Sequence, residues 1–396
     1  MNNLDKFYIN GQWVTPGPDA TRFSVTNPAT EASEGEIAMA GKSDVDKAIQ
    51  AARDAFDSFS QTTLDERLKM LESLLEAYKA RLDDVADAIS REMGAPRHSV
   101  SKNIQAPMGV WHMQTALEAA KHIQFERRMG HTVVRREPAG VCVLITPWNW
   151  PINQIACKLA PAIVAGCTMV LKPSEFAPLS AHVVAEAVDA SSLPAGVFNM
   201  IYGDGAKVGP MLSSDPRVDM VSLTGSTRAG ESVSREAAAS FKRVSLELGG
   251  KSPNIILPGA DLEAAVKNGV QVMMLNTGQS CNAPSRMLVP ENQLQQAEEI
   301  AAKACAAIKA GDPQAEDTVI GPIANKRQYG RVQTYIKRGQ EEGAKLVCGG
   351  ADRPDGMAGG YYLKPTVFSN VNNQMAIARE EIFGPVLTII PYKDVE

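Results

Sequence analysis

The chain has 396 residues, a formal net charge of −5, and 44% hydrophobic and 21% charged residues, which suits a protein with two substantial cores and gives no electrostatic footprint for nucleic acid or an anionic membrane. Six cysteines without C-x-x-C spacing, Cys142, Cys157, Cys167, Cys281, Cys305 and Cys348, point to free thiols in a reducing, cytoplasmic setting, with no metal centre expected. Met1 to Lys6 lacks the basic and apolar regions of a signal peptide, and the longest apolar run, Leu159 to Leu171, is too short for a membrane span and contains Pro161 and Gly166.

Tyr8 to Val14 reads as a hairpin about an Asn10-Gly11 turn. Ser43 to Phe59 reads as a helix, with Ser43 as N-cap and Val45, Ile49, Ala52 and Phe56 at helical spacing. Two further helices are expected at about Thr63 to Ala80 and Leu82 to Met93. Gln124 to Glu137 carries Arg127, Arg128, Arg135 and Arg136 around Met129-Gly130 and a strand-like Thr132-Val133-Val134; it reads as an exposed hairpin arm or a solvated basic loop. From Gly140 strands and helices alternate, the pattern of a mostly parallel sheet with helices on both faces. Strands are expected at Val141 to Ile145, Thr168 to Leu171, Val197 to Tyr202 and Asp219 to Leu223, with helices at Ile152 to Val164, Ser180 to Ala190, Ala206 to Leu212 and from Ser226. Later come a strand at Met287 to Val289 and helices across Gln293 to Ala310 and Asn325 to Glu342.

Chemistry gathers at the ends of these strands. Thr146 to Pro151 packs two prolines and two tryptophans around Asn149, a stiff apolar turn. An amide held there can donate to a developing oxyanion, although a loop Asn is more often a turn former. Glu175, just beyond a strand, can accept from ribose hydroxyls and repel a 2′-phosphate, or it can pair with Lys172 as a plain salt bridge. No G-x-G-x-x-G is present: Gly203-Asp204-Gly205 with Gly209 is one residue too long. Leu223-Thr224-Gly225-Ser226 places a hydroxyl at a helix start, suited both to N-capping and to pyrophosphate. Glu247 closes the strand Arg243 to Leu246 before Gly249-Gly250, where a carboxylate can be a general base or a solvated loop charge. Cys281 should stand on a glycine-flanked turn between a helix ending near Leu275 and the strand from Met287. There it is a nucleophile or a buried small hydrophobe.

Glu247-Leu248-Gly249-Gly250-Lys251 followed 34 residues later by Gly278-Gln279-Ser280-Cys281 resembles the NAD(P)-dependent aldehyde dehydrogenase superfamily, and the likeness runs from the first hairpin to Glu380-Glu381-Ile382-Phe383-Gly384-Pro385-Val386. The resemblance implies an α/β fold: a Rossmann-like NAD-binding domain over 1–120 and 139–249, an oligomerisation hairpin over 121–138, and a second α/β catalytic domain over 250–396. It implies Cys281 as nucleophile, Glu247 as the base that activates water against a thioester, and Asn149 as oxyanion donor with the Cys281 backbone. It assigns Lys172 and Glu175 to the adenosine ribose, Gly225 and Ser226 to the pyrophosphate, and Glu381 and Phe383 to the nicotinamide end. Ile145, Thr146, Trp148, Ser174, Gly203, Leu248 and Gln328 complete the cofactor contacts, while Trp150, Gln154 and Cys157 line the aldehyde channel. The cofactor implied is NAD, with NADP disfavoured by Glu175, and the partners are a small-molecule aldehyde and further copies of the chain, as homodimer or homotetramer at full length. The family continues past the point where this chain ends in Lys393-Asp394-Val395-Glu396, which looks like the start of a helix, so the catalytic domain is expected to be C-terminally incomplete. Two other readings remain at this point: a CoA-acylating semialdehyde dehydrogenase, against which Glu247 speaks, and a truncated non-catalytic nucleotide-binding relative.

Overall fold

The structure, a computed structural model, describes residues 2–395. Two compact units form: one gathers the chain up to Val25, Ser33–Ile89 and Lys102–Leu248, the other Thr26–Ala32, Ser90–Ser101 and the chain from Gly249 onward.

The first unit opens with β1 (Phe7–Ile9) and β2 (Gln12–Val14), joined by Asn10 and Gly11 at φ of 53° and 70°, the left-handed pair that a tight hairpin turn demands. A ribbon of β3 (Thr21–Thr26) and β4 (Ser33–Met39) follows, then α1 (Lys42–Ser60), α2 (Leu64–Lys79), α3 (Leu82–Met93) and α4 (Ala106–Ala120). The helix α1 starts one residue before the expected Ser43 cap. Asp44 accepts the Gly41 N–H, while the Ser43 hydroxyl is drawn away to Asp19. Between α3 and α4, Arg97–Gln105 winds as a π-helix. The strands β5 (Glu126–Met129) and β6 (Thr132–Arg135) pair only with each other and are exposed along their whole length.

Then come β7 (Val141–Ile145), α5 (Pro151–Ala165), β8 (Thr168–Lys172), α6 (Pro178–Asp189), β9 (Phe198–Met200), α7 (Gly205–Ser214), β10 (Met220–Thr224), α8 (Thr227–Ala238) and β11 (Arg243–Glu247). The sheet runs β11-β10-β7-β8-β9-β1-β2, parallel from β11 to β9 and antiparallel at β1 and β2. Every residue of β7 and β8 is buried, as expected for apolar runs covered on both faces. The order reverses between β7 and β10, so their carboxyl ends flank a switch point, the place where open α/β sheets bind ligands.

The second unit carries β12 (Pro253–Ile255), α9 (Leu262–Met274), β13 (Arg286–Pro290), α10 (Leu294–Ala306), α11 (Lys326–Glu341), β14 (Lys345–Cys348), β15 (Thr366–Ser369), α12 (Ala376–Arg379) and β16 (Val386–Tyr392). Its sheet order is β12-β13-β16-β15-β14, with only β14 antiparallel to its neighbour. Strand alternation divides its core in two. Met287, Val367, Leu387 and Ile389 join α9 and α10, whereas Phe368, Val386 and Ile390 join α11 and α12, the period-two pattern of a sheet with helices on both faces. Lys393 to Val395 do not start a helix after β16, contrary to the expectation, and Glu396 lies outside the described residues. Among the described residues no helix is long and apolar enough to cross a membrane.

Candidate active site

In the first unit the candidate residues stand at the carboxyl ends of the parallel strands. Ile145 ends β7, and the Thr146 N–H is fixed by the Lys172 carbonyl at 3.1 Å. Asn149 is buried, its carbonyl accepting a long 3.5 Å contact from Gln105 Nε2 at the end of the π-helix. Trp148 is half-buried in the same turn. Trp150 caps α5 and Pro151 occupies its first turn, the position where a missing N–H is harmless. Trp150 is 9% exposed, so its indole is mostly wall.

Further along α5, Gln154 Oε1 accepts from Thr224 Oγ1 at 3.1 Å, and the Cys157 thiol lies 3.6 Å from the Gln154 carbonyl. Lys158 is buried with Nζ 3.0 Å from Ser222 Oγ. Burial pulls Lys158 below the usual ammonium range, opposed by Cys157 and Glu247; burial also raises Cys157, opposed by Lys158 and aided by Glu247. Glu247, the exposed last residue of β11, therefore acts electrostatically on both groups. Lys158 does not stand out in the sequence. Its place four residues after Gln154 sets both on one face of α5, towards β10.

Lys172 at the end of β8 is buried, its Nζ reaching the Gly203 carbonyl at 2.7 Å, the Pro173 carbonyl at 3.0 Å and Glu175 Oε2 at 3.5 Å. Burial lowers its pKa, against the pull of Glu175. Ser174 is buried and accepts the Phe176 N–H at 3.3 Å, shaping the turn that carries Glu175. At Gly203 a Cβ would come to 2.5 Å from Val208 Cγ2, so only glycine fits. Gly225 donates its N–H to the Glu247 carbonyl at 3.0 Å, and Ser226 caps α8 through the Ala229 N–H at 3.3 Å. Leu248 packs so close to Gly230 that a Cβ there would lie 2.8 Å from Leu248 Cδ2. Thr146 Oγ1 is buried without a hydrogen-bond partner among the described residues. An orphan hydroxyl at the β7 end, a ribose-competent carboxylate after β8 and the α8 N-terminus after β10 form a set of groups that fits a dinucleotide.

In the second unit Cys281 is half-buried on a turn after α9. The approach to it is strained. Asn276 and Thr277 adopt left-handed backbone angles, φ 54° and 59°, and Gly278 follows at 68°. Non-glycine residues hold such angles only where surroundings over-determine them, a state that clusters at functional sites. Here Gln279 Nε2 donates to the Asn276 carbonyl at 3.2 Å, Gln279 Oε1 takes the Ala324 N–H at 2.9 Å, and Thr277 Oγ1 donates to the Gly321 carbonyl at 3.2 Å.

Gly250, Gly278, Ser280, Glu381 and Phe383 line one small cleft in this unit. Glu381 accepts the Gly250 N–H at 3.3 Å, and burial raises its pKa against that bond, Arg331 and Lys251. Gln328 Nε2 donates to the carbonyls of Ile382 and Phe383 at 2.8 and 3.0 Å, and Arg331 donates to the Glu381 carbonyl at 2.9 Å. Gln328 thus braces the loop that presents Phe383, which itself sits at φ 62°. Arg331, one turn further on α11, was not foreseen and serves the same brace.

A doubly wound sheet whose strand ends suit a dinucleotide is the mark of a nicotinamide-dependent oxidoreductase, the class to which the fold points. The profile of the Aldehyde dehydrogenase family matches residues 13–396, and the chain belongs to that family. It is an oxidoreductase of the aldehyde group that works with NAD. A 3-succinoylsemialdehyde-pyridine dehydrogenase of a Pseudomonas species is 56% identical over 394 residues, covering 100% of this chain and 82% of that one. The structure of aldehyde dehydrogenase C from Pseudomonas syringae, a cysteine-to-alanine mutant with NAD+ and octanal, is 49% identical with a TM-score of 0.97, covering 99% of this chain and 80% of that one. An aldehyde dehydrogenase structure from Bartonella henselae is 45% identical with a TM-score of 0.96, covering 100% of this chain and 83% of that one.

Proposed function

We propose that the chain converts aldehydes to carboxylates by way of a thioester on Cys281, with Glu247 and Asn149 as its other catalytic residues. The observation that carries this reading is Glu247, a carboxylate at the carboxyl end of the parallel strand β11 next to the switch point. Cys281 attacks as thiolate and forms a thiohemiacetal. The Asn149 amide and the Cys281 backbone N–H stabilise the oxyanion as the carbonyl becomes tetrahedral. Bound NAD supplies the hydride acceptor. Glu247 then takes a proton from water, which opens the thioester and frees the acid.

Lys172 and Glu175 hold the adenosine ribose, with Ser174 and Gly203 shaping the pocket. Gly225 and Ser226 receive the pyrophosphate at the α8 N-terminus, Gly225 by leaving room for it. Ile145, Thr146, Trp148 and Leu248 line the dinucleotide, while Glu381 and Phe383, braced by Gln328, serve its nicotinamide end. Glu175 disfavours a 2′-phosphate. Trp150, Gln154 and Cys157 border the aldehyde. The octanal of the 49%-identical structure and the semialdehyde in the name of the 56%-identical relative support a chain-like aldehyde as substrate class. Residues 1–120 and 139–249 act as cofactor domain and 250–396 as catalytic domain. The exposed hairpin over 121–138, with Met129 53% and Val133 45% exposed, acts in assembly of a homo-oligomer in the cytoplasm. The test is pre-steady-state NADH formation, with a burst expected in Glu247→Gln and no NADH in Cys281→Ala.

A further inference from the structure

Four of the six cysteines stand in two hydrogen-bonded pairs that the proposed reaction does not use. In the second unit Cys305 is buried on α10, in the cluster that joins this helix to one face of the sheet. Cys348 ends β14, the edge strand of the same sheet. Strand alternation alone would put Cys348 on the face of Leu346, which packs towards α11 and α12. A β-bulge prevents this. Leu346 pairs with Phe368 and Cys348 with Val367, so Val347 is an extra residue, and such an insertion re-aims the side chain beside it. Val347 and Cys348 consequently both pack on the α10 side of the sheet. There the Cys305 S–H donates to the Cys348 sulfur, which also accepts the Val367 N–H. The Cys305 bond, aided by Val367, holds the Cys348 thiol below its usual range against burial, whereas that same bond and burial push Cys305 up. Cys348 is half-buried and Cys305 is 5% exposed.

We propose that Cys348 and Cys305 are a reversible dithiol that a hydroperoxide oxidises to a disulfide, Cys348 attacking and Cys305 resolving. Accessible thiols of thiolate character beside a second cysteine are the ones that peroxides oxidise reversibly. Cys348 gives up its proton and attacks one peroxide oxygen. The O–O bond breaks, a sulfenic acid forms, and the other oxygen leaves with that proton as water or an alcohol. The Cys305 sulfur then attacks the Cys348 sulfur, the S–O bond breaks, and the departing hydroxide takes the Cys305 proton to leave as water. Two electrons pass from the thiol pair to the peroxide, and the bond formed ties α10 to the edge strand. Cys142 and Cys167 supply the contrast. Their hydrogen bond lowers Cys167 to about 6, yet the two are only 4% and 3% exposed, so peroxide is kept from them.

The experiment exposes the folded chain to hydrogen peroxide, then denatures it, alkylates the remaining thiols and maps the peptides by mass spectrometry. It is run on wild type and on Cys281→Ala, in which the proposed nucleophile no longer competes for oxidant. In Cys281→Ala two of the five remaining cysteines should escape alkylation, as one linked peptide pair joining Cys305 to Cys348, and dithiothreitol should return both. Cys142 and Cys167 should stay alkylated throughout. Wild type should form the same link, which guards against a fold disturbed by substitution. Cys348→Ser should lose the link and leave Cys305 alkylated, whereas Cys305→Ser should leave Cys348 as a sulfenic acid that dimedone traps. Full alkylation of Cys305 and Cys348 after peroxide, or a link between Cys142 and Cys167 that forms as readily, overturns the proposal. The readout does not pass through NADH, so either result leaves aldehyde oxidation standing.

Discussion

Replacing Gly278 by alanine tests whether the turn before Cys281 is held under strain. Gly278 has φ 68°, and a Cβ built there would stand 2.5 Å from the Gly384 carbonyl carbon, far inside contact distance. The left-handed backbone alone costs a non-glycine residue about 1–2 kcal/mol. Overpacking against a backbone group that cannot swing aside adds about 1–3 kcal/mol, for a total of about 2–5 kcal/mol. Gly330 is the matched control: it lies exposed inside α11, with open space where a Cβ would go. Gly330→Ala should therefore stabilise, by about 0.4–1 kcal/mol. Urea denaturation followed by circular dichroism reads both, with the midpoint falling for Gly278→Ala and rising for Gly330→Ala. Equal midpoints for wild type and Gly278→Ala would refute the strain argument. Because Gly384 adjoins Phe383, Gly278→Ala should also raise the KM for NAD.

Further expectations concern cofactor choice, pH and assembly. Glu175→Gln should narrow the preference for NAD over NADP from about tenfold or more towards parity in kcat/KM; wild type with equal efficiency for both would contradict the role of Glu175. Burial, aided by Arg286, pushes Lys251 down to about 8, so between there and the unfolded value near 10.4 the unfolded chain binds the extra proton and stability rises with pH. That rise should be weaker in Lys251→Met, read as urea midpoints at intervals from pH 7.5 to 10, and an unchanged slope would show that Lys251 is not the group responsible. Val133→Lys on the exposed hairpin should shift size-exclusion behaviour towards smaller species; an unaltered profile would place assembly elsewhere.

Much of the fold is legible because local and tertiary preferences agree. Val141 to Ile145 is apolar throughout and is buried throughout, and Asn10-Gly11 supplies the backbone angles its hairpin needs. Ser226 is both the first hydroxyl after a strand and the cap of α8. Other features are set by distant partners. The π-helix at Arg97–Gln105 has no 3.6-residue apolar stripe to announce it. The left-handed angles of Asn276 and Thr277 depend on Ala324 and Gly321, far away in sequence. Glu247 and Cys281 stand out early because their flanking glycines do. Lys158, Gln105 and Arg331 do not, since their meaning lies in what they touch across elements.

The division of labour between thiol and carboxylate is tested most directly by rapid-mixing measurement of NADH in Glu247→Gln. General-base removal commonly slows its step about 10²–10⁴-fold, and here that loss falls on thioester hydrolysis. Glu247→Gln should give a burst approaching one NADH per active site followed by very slow turnover, whereas Cys281→Ala should give no NADH at all. Wild-type turnover in Glu247→Gln, or NADH formed by Cys281→Ala, would contradict the proposed roles.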